Sequence, residues 1–364
     1  MRMPEATIAD LVEQLDQSDM LGHLRGFVAD LSSAFERLGS AGPAWVPGIK
    51  SRAWKGIICL GMGGSAAGGA ALASLADREG VLPVRIHRDH GLPSWWLPEH
   101  LVIATSYSGN TEETLDAVRL AISKGGTVIA ICSGGELAGL CESHSDAFLV
   151  LVPSGQPPRS AFGHLFGAQL SLAWSLGLLR KPKAIDLDDM LNRLRTHIEQ
   201  SDFVAHPENN IAHLAAAMVE RPIAIIGATE LSAMVYRFAS QFNENAARFA
   251  RTAILPEMNH NELIAWGGIG PDSDPESHQQ ALLLLTWKNL HPRVSQRFDW
   301  FSQHLSTEWA WKVNCEGSTL LEAMLYACVM MDWLSCALAL LHGKDPTAIA
   351  PIISLKEYLA STTG

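Results

Sequence analysis

The chain is short of positive charge. Its 364 residues carry 27 Lys and Arg against 38 Asp and Glu, a net charge of −11. That balance offers no basic face for nucleic acid. An anionic ligand must instead find local help, from helix N-termini or individual Arg and Lys side chains, against a repelling overall field. Metal-site spacing is missing too. Six cysteines (Cys59, Cys132, Cys141, Cys315, Cys328 and Cys336) are scattered singly, with no CxxC pair and no histidine at zinc spacing. We therefore expect no metal and no disulfide framework, and reduced, buried thiols point to the cytoplasm. The opening residues, MRMPEATIADLVEQLDQ, contain no apolar h-region, so no signal peptide is expected. The longest apolar run, Leu320–Leu341, is interrupted by Glu322 and Asp332 and reads as a buried or interface helix, not a membrane span. Nucleotide signatures are absent as well. After Gly61 and Gly63 the third glycine of GxGxxG falls on Ala66, and no GxxxxGK[ST] occurs.

What is there is strand alternating with helix, over a length that suits two ordinary domains. Residues 1–45 show a helical pattern (Leu11, Leu15, Leu21, Leu24, Phe27) broken by Pro and Gly, and read as a helical N-terminal arm. Residues 46–155 hold the short apolar runs GIICLG, VRIHRD, LVIATSYSG, TVIAICS and AFLVLVP, separated by helical segments. Residues 156–205 read as a helical linker. Residues 206–364 repeat the grammar with PIAIIG, TAILPE, ALLLLTW and WAWKVN, then close with C-terminal helices. The expected class is α/β, with two domains of one architecture, each a doubly wound, mainly parallel sheet flanked by helices. Ligands of such sheets bind outside the carboxyl ends of the strands.

Three stretches carry chemistry. The glycine-rich turn GMGGSAAGG at 61–69 lets backbone approach a ligand and places Ser65 at a helix entrance. The turn TSYSGNTEET at 105–114 packs Ser106, Ser108, Asn110 and Thr111 between a strand and a helix. Hydroxyls and free N–H groups at a helix N-terminus make an anion site, although either turn alone is also an ordinary α/β turn. Residues 241–262, QFNENAARFARTAILPEMNHNE, bring together Glu244, Glu257, His260 and Glu262 with four asparagines. A carboxylate and an imidazole suit acid–base chemistry near neutral pH; caps and turns are the plainer explanation of the same residues.

Read together, these residues resemble the bifunctional phosphoglucose/phosphomannose isomerase family, built from two sugar-isomerase (SIS) domains. The matching pieces run in order: GMGGS at 61–65, SYSGNTEETL at 106–115, PPR at 157–159, NEN at 243–245, EMNHNE at 257–262, DPT at 345–347 and LK at 355–356. The resemblance implies a cofactor-free and metal-free aldose–ketose isomerase. It would interconvert fructose 6-phosphate with glucose 6-phosphate and mannose 6-phosphate through a cis-enediolate. Gly64, Ser65, Ser106, Ser108 and Thr111 would hold the sugar phosphate. Glu244 would move the proton, Arg159 would steady the enediolate, and His260 and Lys356 would open the sugar ring. Thr347 would leave room for the second epimer. The resemblance also implies a homodimer in which His260 reaches the neighbouring subunit's site, with neither nucleic acid nor membrane as partner. The chain departs from the family at His164, where an aromatic hydroxyl is usual, and at Ala66, Ala67 and Ala70. These departures bear on substrate preference, not on the acid–base pair. Two other readings stay open: an SIS isomerase of another sugar phosphate, and a non-catalytic sugar-phosphate sensor.

Overall fold

The computed structural model describes residues 7–38 and 42–362. Three helices come first: α1 (Ile8–Leu15), α2 (Met20–Arg37) and α3 (Val46–Lys50). The first sheet region follows as β1 (Gly56–Leu60), α4 (Gly63–Glu79), β2 (Val84–His87), β3 (His100–Thr105), α5 (Glu112–Ser123), β4 (Val128–Cys132), α6 (Gly135–Glu142) and β5 (Ala147–Leu151). Helices α7 (Phe162–Leu176), α8 (Ala184–Ser201) and α9 (Asn210–Met218) lead to the second: β6 (Ile223–Ala228), α10 (Ser232–Ala246), β7 (Ala250–Leu255), β8 (Ala281–Thr286), α11 (Pro292–Gln303) and β9 (Ala310–Asn314). Helices α12 (Leu320–Leu341) and α13 (Ala350–Ser361) end the chain.

The strand orders are β2-β1-β3-β4-β5 and β7-β6-β8-β9, and every pairing is parallel. The apolar runs explain this. β1, β4, β6 and β8 are buried at every position, as strands covered by helices on both faces must be. Alternation still sorts the side chains. Ile58, Leu60, Val102, Ala104, Val128 and Ala130 pack under α5 and α6. Their neighbours Ile57, Cys59, Leu101, Ile103, Ile129 and Ile131 face the other way, into a core shared with α2, α4, α7, α10, α12 and the second sheet. That shared core fixes one sheet against the other.

Helix α12 runs through it. By length and composition α12 is apolar enough to cross a membrane, yet 83% of its most apolar window is buried inside the protein. Burial against α8, α9 and α10 identifies it as a core helix, and the two charges that suggested so in the sequence are each paired. Glu322 accepts from Ser318 and Arg193, and Asp332 from Arg237.

Candidate active site

In the first sheet the chain leaves β1 toward β2 on one side and returns to β3 on the other, so the crevice between β1 and β3 is the switch point. Both predicted turns meet there. A Cβ on Gly61 would lie 2.9 Å from the Thr105 carbonyl oxygen, so the two strand exits touch. Ser65 is buried, and its Oγ accepts the Tyr107 N–H at 3.1 Å. Ser106 Oγ lies 2.8 Å from Thr111 Oγ1 and accepts the Gly109 N–H at 3.1 Å. Ser108 is exposed, and its Oγ accepts the Asn110 N–H at 3.2 Å. Gly109 is required: its φ is +71°, and a Cβ would lie 1.8 Å from the Gly134 carbonyl oxygen. Neither α4 nor α5 has a side-chain cap at its N-terminus, which leaves orphan N–H donors at both helix starts.

The Pro-Pro-Arg segment closes over this cradle. A Cβ on Gly64 would lie 3.3 Å from the Pro158 carbonyl oxygen and 3.4 Å from Arg159 Cα. Arg159 is buried, and its guanidinium is held on three sides. Nε donates to Asn245 Oδ1 at 2.5 Å, Nη2 to the Pro346 carbonyl, and Nη1 lies 3.4 Å from Glu244 Oε2. Burial pulls its pKa below the ordinary value, opposed by the Glu244 carboxylate. Glu244 itself keeps 27% of its side chain exposed, so its carboxylate remains accessible to solvent.

Helix spacing explains how Glu244 and Asn245 come to face Arg159. Arg237, Gln241, Glu244 and Asn245 recur at i, i+4, i+7 and i+8, one face of α10. That face meets Asp332 and Ser335 of α12. Arg237 forms a bidentate pair with Asp332 at 2.6 and 3.0 Å and donates to the Arg159 carbonyl at 3.3 Å. Gln241 Nε2 donates to Asp332 Oδ1 at 2.5 Å, and Asn245 Nδ2 to Ser335 Oγ at 2.8 Å. Burial disfavours the Arg237 charge, but Asp332 more than offsets it and holds the guanidinium above its ordinary pKa. The sequence pointed to Asp332 only as a break in an apolar run, and not to Arg237. The available signals were the helical spacing of four polar residues and two polar residues inside an apolar helix.

Of the remaining predicted residues, Thr347 lies beside the site. Its N–H and hydroxyl bond Asp345 Oδ1 at 2.7 and 2.6 Å, next to the Pro346 carbonyl that receives Arg159. His260 is exposed at the end of a 3₁₀ turn (Glu257–His260) after β7, and Lys356 is exposed on α13. Among the described residues neither makes a hydrogen bond or ion pair with Arg159 or Glu244. The His260 turn is nonetheless braced. Asn261 Oδ1 accepts the Glu262 N–H at 2.5 Å, Asn259 accepts from Arg297 at 3.1 Å, and Glu262 accepts from Trp266 and pairs with Arg251, each at 3.0 Å.

The corresponding point of the second sheet, between β6 and β8, is filled. Trp287 is buried there and donates to Glu230 at 3.2 Å, and Glu230 also pairs with Arg78 at 2.8 Å. A cavity of 1410 Å³ opens beside the ends of β8 and β9. Its lining mixes Arg180, Lys181, Lys183, Lys288 and Lys312 with Glu79, Asp186, Asp189 and Glu316, while Arg193 pairs with Glu322, which already occupies the N-terminus of α12.

Two family models match the chain: the SIS domain over residues 52–177, and the bacterial phospho-glucose isomerase C-terminal SIS domain over residues 208–359. The bifunctional phosphoglucose/phosphomannose isomerase of Caldicellulosiruptor bescii is 32% identical over 84% of this chain and 89% of its own length. That of Aquifex aeolicus is 32% identical over 84% and 91%. A D-glucosamine-6-phosphate 4-epimerase of Sulfolobus acidocaldarius is 30% identical over 60% of this chain and 65% of its own. Among solved structures, the C-terminal domain of glucosamine-fructose-6-phosphate aminotransferase from Francisella tularensis superposes with a TM-score of 0.67 at 12% identity, covering 90% of this chain and 96% of that one. That likeness concerns fold alone. On the sequence identity and coverage of its relatives, the chain belongs to the bifunctional phosphoglucose/phosphomannose isomerase family.

Proposed function

We propose that the protein interconverts fructose 6-phosphate with glucose 6-phosphate and mannose 6-phosphate by proton transfer between C1 and C2. The observation that carries this reading is Arg159 Nη1, 3.4 Å from the Glu244 carboxylate and beside the hydroxyl-rich cradle. That separation is longer than the roughly 2.7–2.9 Å of a tight charge-assisted bond, so Glu244 is free to turn to substrate. Glu244 takes the proton from one carbon and returns it to its neighbour. Arg159 meets the negative charge that develops on the enediolate oxygen. Gly64, Ser65, Ser106, Ser108 and Thr111 hold the phosphate, whose binding energy orients the reacting carbons. The enediolate has lost the C2 stereocentre, so rotation about C2–C3 presents either face to Glu244, and reprotonation on one face gives glucose 6-phosphate and on the other mannose 6-phosphate. Thr347 lines the space this needs. His260 and Lys356 open the ring.

His260 and Lys356 belong to this scheme through a homodimer. Both are exposed in a single chain. Helix α13 buries no residue and presents Ile352, Ile353, Leu355, Tyr358 and Leu359, while Phe249 is 95% exposed. Apolar surface on this scale favours a partner, and a second copy would bring His260 to Glu244 of its neighbour. Mixing separately inactive Glu244→Gln and His260→Ala chains tests this. Shared sites restore about a quarter of wild-type activity, because half the dimers are mixed and each has one intact site. Sites built within one chain restore none. The six buried, unpaired thiols support a cytoplasmic location.

The activity is tested by incubating the protein with fructose 6-phosphate in EDTA and measuring glucose 6-phosphate and mannose 6-phosphate separately. Formation of both is expected. Formation of neither, with turnover of an amino-sugar phosphate instead, would replace this reading with the second one, which the 30% identity to the 4-epimerase favours.

A further inference from the structure

Asp30 lies on α2, outside both stretches matched by the family models, yet its carboxylate reaches the back of the candidate site. Gly163 and Gly167, one turn apart on α7, allow this. A Cβ on Gly163 would lie 2.9 Å from Asp30 Cβ, and one on Gly167 2.6 Å from Ala34 Cβ. So close an approach leaves α2 little freedom. The Asp30 side chain is 13% exposed and that of His164 7%, with Nε2 and Oδ1 separated by 3.1 Å. The other carboxylate oxygen, Oδ2, accepts from Gln156 Nε2 at 3.0 Å. Gln156 in turn donates its backbone N–H to the Tyr107 hydroxyl at 3.1 Å, and immediately precedes Pro157, Pro158 and Arg159. Tyr107 sits inside the hydroxyl-rich turn, where its own N–H donates to Ser65 Oγ.

We propose that Asp30 is a positioning residue for the isomerisation: through Gln156 it fixes the segment bearing Arg159 relative to the turn that holds the phosphate. This inference rests on the reaction proposed above. The two ends of the substrate are grasped by different segments, Arg159 at the reacting carbons and the cradle at the phosphate. Besides the backbone contact of Pro158 and Arg159 with Gly64, Gln156 joins the two through its bond to Tyr107, and Asp30 holds it in place. His164 packs against the opposite carboxylate oxygen. Its role is to hold Asp30 rather than to contact substrate. Misplacement of a reacting group by about 1 Å lowers turnover up to about 100-fold, and the chain Asp30–Gln156–Tyr107 limits that error.

The test compares Asp30→Leu, Asp30→Asn, Gln156→Leu and the double variant Asp30→Leu with Gln156→Leu, each assayed on fructose 6-phosphate beside the wild type. Asp30→Leu and Gln156→Leu remove the same bond from opposite ends and are expected to lower kcat alike, by about 10- to 100-fold. The double variant is expected to lose no more than either single change. Asp30→Asn, whose amide oxygen still accepts from Gln156, should keep kcat within about threefold. A wild-type kcat in folded Asp30→Leu, or losses that simply multiply in the double variant, would overturn the proposal. Should Asp30→Leu fail to fold, Gln156→Leu decides, because its side chain is only half-buried and wild-type turnover in it is equally contrary. A wild type that does not turn over fructose 6-phosphate refutes the reaction itself and is told apart by that control.

Discussion

Replacing Arg237 by Met, Asp332 by Leu, and then both separates what their buried pair does for folding from what it does for Arg159. Both side chains are about 5% exposed, and they form two short bonds at 2.6 and 3.0 Å. Removing one partner strands a buried charge, which costs about 3–5 kcal/mol. Independent losses would therefore sum to about 6–10 kcal/mol in the double variant. The double variant instead leaves two neutral groups without partners, Gln241 Nε2 and the Arg159 carbonyl. At roughly 1–3 kcal/mol for each unmet group, its loss is about 2–6 kcal/mol. The expected coupling is thus on the order of 4 kcal/mol in favour of the pair. Urea denaturation of all four proteins measures it. Turnover adds a second readout. The double variant still folds but has lost the bond to the Arg159 carbonyl, so its kcat should drop by about tenfold or more with KM for the sugar phosphate changed little. A coupling near zero, or a double variant with wild-type kcat, would refute the assignment of this pair as the support of Arg159.

Two further outcomes follow from the geometry. Arg159→Lys keeps the charge but cannot reach Asn245, Pro346 and Glu244 together. It should lower kcat by about 10²–10³ in steady-state assays while sugar phosphate still raises Tm. His197 is mostly buried, stacks on Tyr326 with ring centroids 3.7 Å apart, and burial pushes its imidazole down to about 4. It is therefore neutral in the fold, and below its ordinary value of 6.5 the unfolded chain takes up a proton that the fold does not. Stability falls as the pH drops from 6.5 toward 4, by up to roughly 3 kcal/mol, and His197→Phe should flatten that limb of a urea titration.

Much of the fold was legible because strands covered on both faces must be continuous apolar runs. GIICL, VIAIC, IAIIGA and ALLLLT could be nothing else in an alternating chain. The cradle was legible for a similar reason, since serines and glycines crowd two strand exits where a βα turn must form. What holds Arg159 was not. Arg237 and Asp332 lie 95 positions apart, and Gln156 and Asp30 126. No periodicity in one chain couples such residues; only packing of α10 on α12, and of α2 on α7, brings them together. Asp332 drew notice as a break in an apolar run, when its role is to neutralise a buried arginine. Helix α9 also went unread: at nine residues it is too short for a strong helical period. His260 and Lys356 were read by motif alone, and in the single chain both are exposed.

The central claim is that one carboxylate, Glu244, carries the proton. The most direct measurement is the Glu244→Gln variant on fructose 6-phosphate, with both aldose products quantified and ligand binding followed by thermal shift. The amide keeps the shape of the carboxylate but cannot take a proton. The account predicts that glucose 6-phosphate and mannose 6-phosphate formation both fall by at least about 10³-fold, while sugar phosphate still stabilises the protein. Formation of either product at the wild-type rate would place the base on another residue and contradict the account.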